Sequence, residues 1–197
     1  MRTLIVHGST LGQTHKIAEF VAERWRDRGH DVAVLDALLI GSTLDPLRYD
    51  VTLVAASLHA GAYQPAVVRF VRDHAASLAS ITSAFVSVSL SAAGNDAGDL
   101  AGLKHAEEAF FARTGWHPAH VHHAAGALAY TQYNVVVRWF MKRFARARGA
   151  SVDASRDYEF TDYTALAEFL DAFLVIAGQP TPAPPPLGRI EARWANR

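Results

Sequence analysis

The sequence predicts a doubly wound α/β domain, a parallel sheet with helices on both faces. Two patterns carry this: short continuous apolar runs, as strands buried on both sides require, and amphipathic helical periods alternating with them. Length is the third observation, because 197 residues, half of them hydrophobic, suffice for one sizeable core and one domain. Leu4, Ile5 and Val6 form the first strand. A polar, glycine-containing stretch follows, then a helix with Ile17, Val21 and Trp25 on one face and Ala18 and Ala22 beside them; Gly29 is placed to end it. Residues 32–35 and 51–56 are the second and third strands. Pro65 opens a helix with Val67, Phe70, Val71, His74 and Leu78 on its buried side. Residues 84–88 make the fourth strand, Asp99 is placed to cap a helix burying Leu103, Ala106 and Phe110, and residues 120–128 make the fifth strand. Thr161 or Asp162 caps a last helix carrying Leu166, Phe169, Leu170, Phe173 and Leu174.

Two segments break the rhythm. Residues 129–160 are too long for a strand-to-helix connection and hold a helical stretch of their own. Residues 179–197 contain five of the eight prolines and lack an apolar period, so they read as an extended tail behind a domain of residues 1–178. The absence of cysteine excludes disulfides, thiolate nucleophiles, zinc ribbons and iron–sulfur clusters, and fits a reducing cytoplasm. Nineteen basic side chains balance nineteen acidic ones, which gives no global bias toward nucleic acid and leaves a homo-oligomer open. Met1 to Val6 lacks a signal-peptide layout, and no apolar run approaches the roughly 20 residues a membrane span needs. The expectation is a cytoplasmic protein, at most bound to a membrane surface.

The most informative stretch is the loop after the first strand, Ser9-Thr10-Leu11-Gly12-Gln13-Thr14. Holding a phosphate at this position takes free backbone N–H groups at a helix N-terminus, a glycine that lets the chain turn inward, and hydroxyls as extra donors. No lysine follows Gly12, which excludes the nucleoside-triphosphatase loop, and the three spaced glycines of the dinucleotide fingerprint are missing. Dipoles and hydroxyls without a cation suit a phosphate monoester.

This loop resembles the phosphate loop of flavodoxins. The resemblance implies a flavodoxin-like sheet of five parallel strands in the order 2-1-3-4-5, with FMN bound at the switch point between strands one and three. Two further contact loops are then expected. One holds Ser57, Leu58, His59, Gly61 and Tyr63, where Gly61 would allow close approach and Tyr63 would lay its ring against the flavin. The other holds Ser89, Leu90, Ser91, Gly94 and Asn95 and would present backbone groups to the flavin's edge.

The chain is also similar, over about residues 1–175, to the menaquinone-dependent protoporphyrinogen dehydrogenases. The likeness is carried by Ala56-Ser57, Tyr63, Phe70-Val71, His74-Ala75 and residues 83–88, then by Gly115-Trp116-His117-Pro118, residues 125–128 with Tyr130 and Tyr133, and Tyr158 with Thr161-Asp162. It implies an FMN enzyme that passes electrons from protoporphyrinogen IX to a quinone in heme synthesis, with a helical insert after strand five. Departures occur at His59 and Ala60, where that family carries an arginine and an aromatic residue, and at residues 129–133, where it is richer in arginine. Porphyrin propionates favour such cations, whereas a quinone has no carboxylate and needs none. A nonenzymatic flavodoxin carrier and a flavin-free interaction module stay open as alternatives, and no catalytic acid or base is assigned.

Charge is unevenly spread. Residues 1–130 carry ten basic and twelve acidic side chains, residues 131–148 five basic and none acidic, and residues 149–197 four basic and seven acidic. The basic stretch, with Arg138, Lys142, Arg143, Arg146 and Arg148 among Val136, Val137, Trp139, Phe140, Met141 and Phe144, reads either as an interfacial helix on anionic lipid or as one packed on the domain edge. His117, His120, His122 and His123 cluster around strand five, with His120 and His122 on one face and His123 on the other. With no cysteine and no neighbouring acid, they make no metal set. His7 closes the turn beside the phosphate loop. His59 lies in a predicted flavin loop, where it would stabilise reduced flavin or orient substrate, or rest as an ordinary surface histidine.

Overall fold

The computed structural model describes residues 1–40, 44–93, 97–128 and 158–179. The expected insert lies almost wholly outside them, as do Gly94, Asn95 and the tail from residue 180 onward. Five strands form the central parallel sheet: β1 (Arg2–Gly8), β2 (Asp31–Asp36), β3 (Val51–His59), β5 (Thr82–Ser89) and β6 (His120–Ala125). They run in the order β2-β1-β3-β5-β6, which is the predicted 2-1-3-4-5 once a short β4 (Ala62–Tyr63), paired antiparallel to β3, is set aside. The register places Ile5 opposite Val34 and Leu53, Leu53 opposite Ala84, and Ala84 opposite His120.

Side chains of a strand alternate between faces, so each apolar run feeds two cores. Ile5, Leu53, Ala55, Val86 and Val88 pack under α1 (Gln13–Arg26) and α5 (Tyr163–Ala177), which contribute Ile17, Val21, Trp25, Leu166, Leu170 and Phe173. Leu4, Val6, Val54 and Phe85 face the other way, toward α2 (Pro65–Asp73), α3 (Ala75–Ser80) and α4 (Ala97–Thr114), which bring Val67, Phe70, Val71, Leu78 and Phe110. β1, β3 and β5 are buried along almost their whole length, while edge strand β2 is only half-buried. Each fully buried aliphatic or aromatic side chain contributes about 1.5–3 kcal/mol, so this two-sided burial is the main source of the sheet's stability.

Three expectations are corrected. The helix predicted from Pro65 to Leu78 is two helices, because His74 leaves helical geometry (φ −119°, ψ 17°) and rests half-buried with its ring on Phe70. α4 begins at Ala97, which puts Asp99 in its first turn instead of at its cap. The predicted fifth strand stops at Ala125: its partner β5 ends at Ser89, and the Gly126 N–H donates to the Ser89 carbonyl at 3.0 Å. The chain then leaves the sheet as β7 (Ala127–Leu128), which pairs antiparallel with β8 (Tyr158–Glu159). Of the two candidate caps for the last helix, Asp162 serves, its Oδ1 accepting from the Thr164 and Ala165 amides at 3.0 and 2.9 Å. Thr161 instead donates to the Ala125 carbonyl at 2.7 Å.

Candidate functional site

A cleft opens at the C-terminal ends of β1, β3 and β5, where the connection from β1 runs to one face of the sheet and that from β3 to the other. Such a switch point leaves a crevice between diverging loops. The cleft has a cavity volume of about 70 Å³, open to solvent, and is lined by Ser9, Thr10, Leu11, Gln13 and Thr14 from the first loop. The end of β3 contributes Ser57, Leu58 and His59, and the end of β5 adds Val88, Ser89 and Leu90, with Gly126 as floor. Ten of these twelve lining residues come from the three loops expected from the sequence; Val88 and Gly126 are additions.

The first loop is shaped by two glycines. Gly12 is the N-cap of α1 at φ 87°, a left-handed conformation that side chains disfavour, and its carbonyl accepts the first helical hydrogen bond from Lys16 at 3.0 Å. Gly8 serves close approach, since a Cβ there would stand 2.4 Å from Val67 Cγ2. Inside this turn the hydroxyls of Ser9 and Thr14 are buried without a hydrogen-bond partner. A buried polar group without a partner costs about 1–3 kcal/mol, so two at one helix N-terminus fit a site that an anion completes. No acidic side chain lies in the first turn of α1.

Gln64, which sequence reading passed over, joins the first and second loops. Its Nε2 donates to Thr10 Oγ1 at 2.9 Å and to Ser57 Oγ, and its Oε1 accepts from the Ser57 amide at 3.2 Å. Thr10 and Ser57 thereby stand with their hydroxyls 3.5 Å apart across the cleft. Only an X-Pro pair marks this residue in the sequence, and that reads as a helix start.

Tyr63 does not lie at the cleft surface. The turn at Ala60 and Gly61, with φ of 50° and 81°, folds β4 back on β3 and sends the ring into the core. There it is 5 % exposed, packs on Phe85 and Phe110, and shares a 2.8 Å hydrogen bond with Ser87; burial pushes its phenol up to about 12. Gly61 serves this turn at φ 81°, and no protein atom stands near where a Cβ would be. Ser91 falls in a 3-10 turn at Leu90–Ala93, set back from the cleft, and Ser89 Oγ accepts from the Ala92 amide of that turn. Gln13 lines the cleft, yet its Nε2 is committed to Glu159 Oε1 at 2.7 Å and Thr161 Oγ1 at 2.8 Å.

The histidines divide as strand alternation predicts. His120 and His122 lie against Phe173 and Phe169 of α5, while His123 meets Glu107 of α4 at 3.4 Å. That acid comes from another element, which spacing along the chain does not show. His7 is buried against His15, with 3.3 Å between ring nitrogens. Burial lowers its pKa, opposed by Asp36 and Glu19 and reinforced by His15.

Sheet order, switch-point cleft and anion-shaped loop together define the class as flavodoxin-type. The chain belongs to the Flavodoxin domain family, which it matches over residues 4–155. Among individual proteins it is 29% identical to the protoporphyrinogen IX dehydrogenase [quinone] of Escherichia coli K12, across 92% of this chain and 99% of that one. A protein of the same name from Leishmania major is 26% identical, with 93% of this chain and 78% of that one covered. The structure of a flavodoxin from Streptococcus pneumoniae TIGR4 superposes with a TM-score of 0.55 at 20% identity, across 89% of this chain and 99% of that one, and shares the fold.

Proposed function

We propose that this chain binds FMN noncovalently in the switch-point cleft and acts as a quinone-linked oxidoreductase of the protoporphyrinogen dehydrogenase kind. The observation that carries the reading is the pair of buried, unpartnered hydroxyls at the N-terminus of α1, in a chain similar over nearly its full length to two quinone-linked dehydrogenases. The loop amides, Ser9, Thr10 and Thr14 would hold the phosphate. Ser57, Leu58, His59, Ser89 and Leu90 would frame the ring system from the ends of β3 and β5. When bound, the flavin supplies the redox chemistry, taking electrons from a donor and releasing them to an acceptor. The protein's share is to bind, orient and shield. Leu11, Leu58, Val88 and Leu90 give the cleft its apolar lining, and His59, exposed, lines it as well.

The donor follows the relatives' name, protoporphyrinogen, as part of heme synthesis, with menaquinone as acceptor. His59 stands where the resembling family has arginine, so propionate pairing is weaker here. His59→Arg therefore lowers KM for protoporphyrinogen by several-fold if that is the donor. We further propose attachment to the inner face of the cell membrane through the five basic residues between 131 and 148; no helix among the described residues is long and apolar enough to cross a bilayer.

The decisive experiment is FMN titration of the purified chain beside turnover of protoporphyrinogen with a menaquinone analogue. Failure to bind FMN overturns the reading, and binding without turnover reassigns the chain to electron carriage. Arg143→Glu with Arg146→Glu weakens binding to anionic vesicles, and unchanged binding refutes the membrane role.

A further inference from the structure

Gln13 is the first residue of α1 and is only 7 % exposed. Both protons of its Nε2 are spent on residues near 160, which leaves none for a ligand. Glu159 Oε1 accepts from Gln13 and also from the hydroxyl of Tyr163. Thr161 accepts from Gln13 while donating to the Ala125 carbonyl, and the Phe160 amide donates to the Gly126 carbonyl at 3.3 Å. Gly126 is the cleft floor and is bonded in turn to Ser89. The network therefore runs as one chain of hydrogen bonds from the first loop through residues 159–161 and Gly126 to the end of β5.

We propose that Gln13, Glu159 and Tyr163 form a clasp through which the phosphate loop and the β7–β8 stem hold each other, so that an anion in the loop tightens the stem. Gln13 and Glu159 are positioning residues, not ligands. The proposal rests on the reading that the cleft takes FMN. Its physical basis is sharing: the helix turn that carries the buried Thr14 hydroxyl is the turn that carries Gln13, so fixing one orders the other. Glu159 is suited to the part. Burial opposes its ionisation, but hydrogen bonds from Tyr163 and Gln13, aided by Lys16, hold its carboxyl below the usual range. Tyr163, raised to about 12 by burial and by the adjoining carboxylate, remains the proton donor.

The test uses the full chain, with Gln13→Ala and Glu159→Ala beside Glu159→Gln, which keeps an acceptor oxygen. FMN and riboflavin are titrated into each, because riboflavin lacks only the phosphate. Hydrogen exchange is followed at residues 127–128 and 158–161 with and without FMN. The clasp predicts FMN affinity about tenfold weaker in both alanine variants, largely restored in Glu159→Gln, with riboflavin affinity unchanged. FMN slows stem exchange in the unaltered chain and fails to do so in Gln13→Ala. Undiminished FMN affinity in the alanine variants, persistent stem protection, or equal losses for FMN and riboflavin each overturn the clasp while leaving the FMN reading standing. An unaltered chain that binds no FMN overturns both.

Discussion

Gly8, before the loop that follows β1, and Gly12, within it, are glycines for different reasons. At Gly8 the space is taken: a methyl would press on Val67 Cγ2 in a fully buried position. Gly8→Ala is therefore expected to cost about 1–3 kcal/mol in urea denaturation, as overpacked cores do. At Gly12 the space is open but φ is 87°, so Gly12→Ala costs about 1 kcal/mol through backbone strain, and Gly12→Asn less. His7 supplies a pH dependence. Its folded pKa lies below the ordinary value of 6.5, chiefly through burial, so the unfolded chain takes up the proton first as pH falls. Stability associated with neutral His7 is complete above that value and is lost as pH drops below it. His122 is lowered in the same direction by burial. His7→Gln should flatten part of the fall in Tm between about pH 7.5 and about pH 5.5 and leave the part due to His122. The glycine-and-hydroxyl pattern of the loop was readable from sequence because it is local. The roles of Gly8 and Gln64 were not, because each is defined by a side chain more than 50 residues away.

Elements were most legible where one face is buried. Ile17, Val21 and Trp25 repeat at helical spacing because one side of α1 lies on the sheet, and all three are fully buried. Legibility failed at element ends. Asp99 and Asp162 are equally good capping types, yet Asp162 stands at the N-cap of its helix while Asp99 lies in the first turn of α4. Asp162→Ala should lower stability by about 1 kcal/mol and raise hydrogen exchange in the first turn of α5, leaving that of α1 unchanged. The two helices are joined by Asp171, which accepts from Arg24 at 2.9 and 2.6 Å and pairs with Arg28 at 2.7 Å. Tyr63 shows the opposite error. An aromatic beside a glycine turn reads as a flavin contact, but the register of β4 against β3 turns it inward, where Phe85 and Phe110 receive it.

For the whole molecule, cofactor binding and stability are linked. FMN at about one hundred times its Kd should stabilise the chain by about 2.7 kcal/mol, seen as a Tm rise of roughly 5–10 °C, and an equal concentration of riboflavin should give markedly less. A Tm unmoved by FMN would contradict the proposed site. The sequence by itself determined the layered α/β architecture and the glycine-and-hydroxyl pattern of the first loop, because these rest on periodicity and on residues close together in the chain; the strand order followed from the loop's resemblance to flavodoxins and is borne out by the sheet. Only the tertiary structure decided which side chains complete the cleft. Gln64 bridging two loops, Gly126 forming the floor and Glu159 holding Gln13 are contacts between segments 7 to 146 residues apart. No local period records such contacts; packing the helices on the sheet creates them.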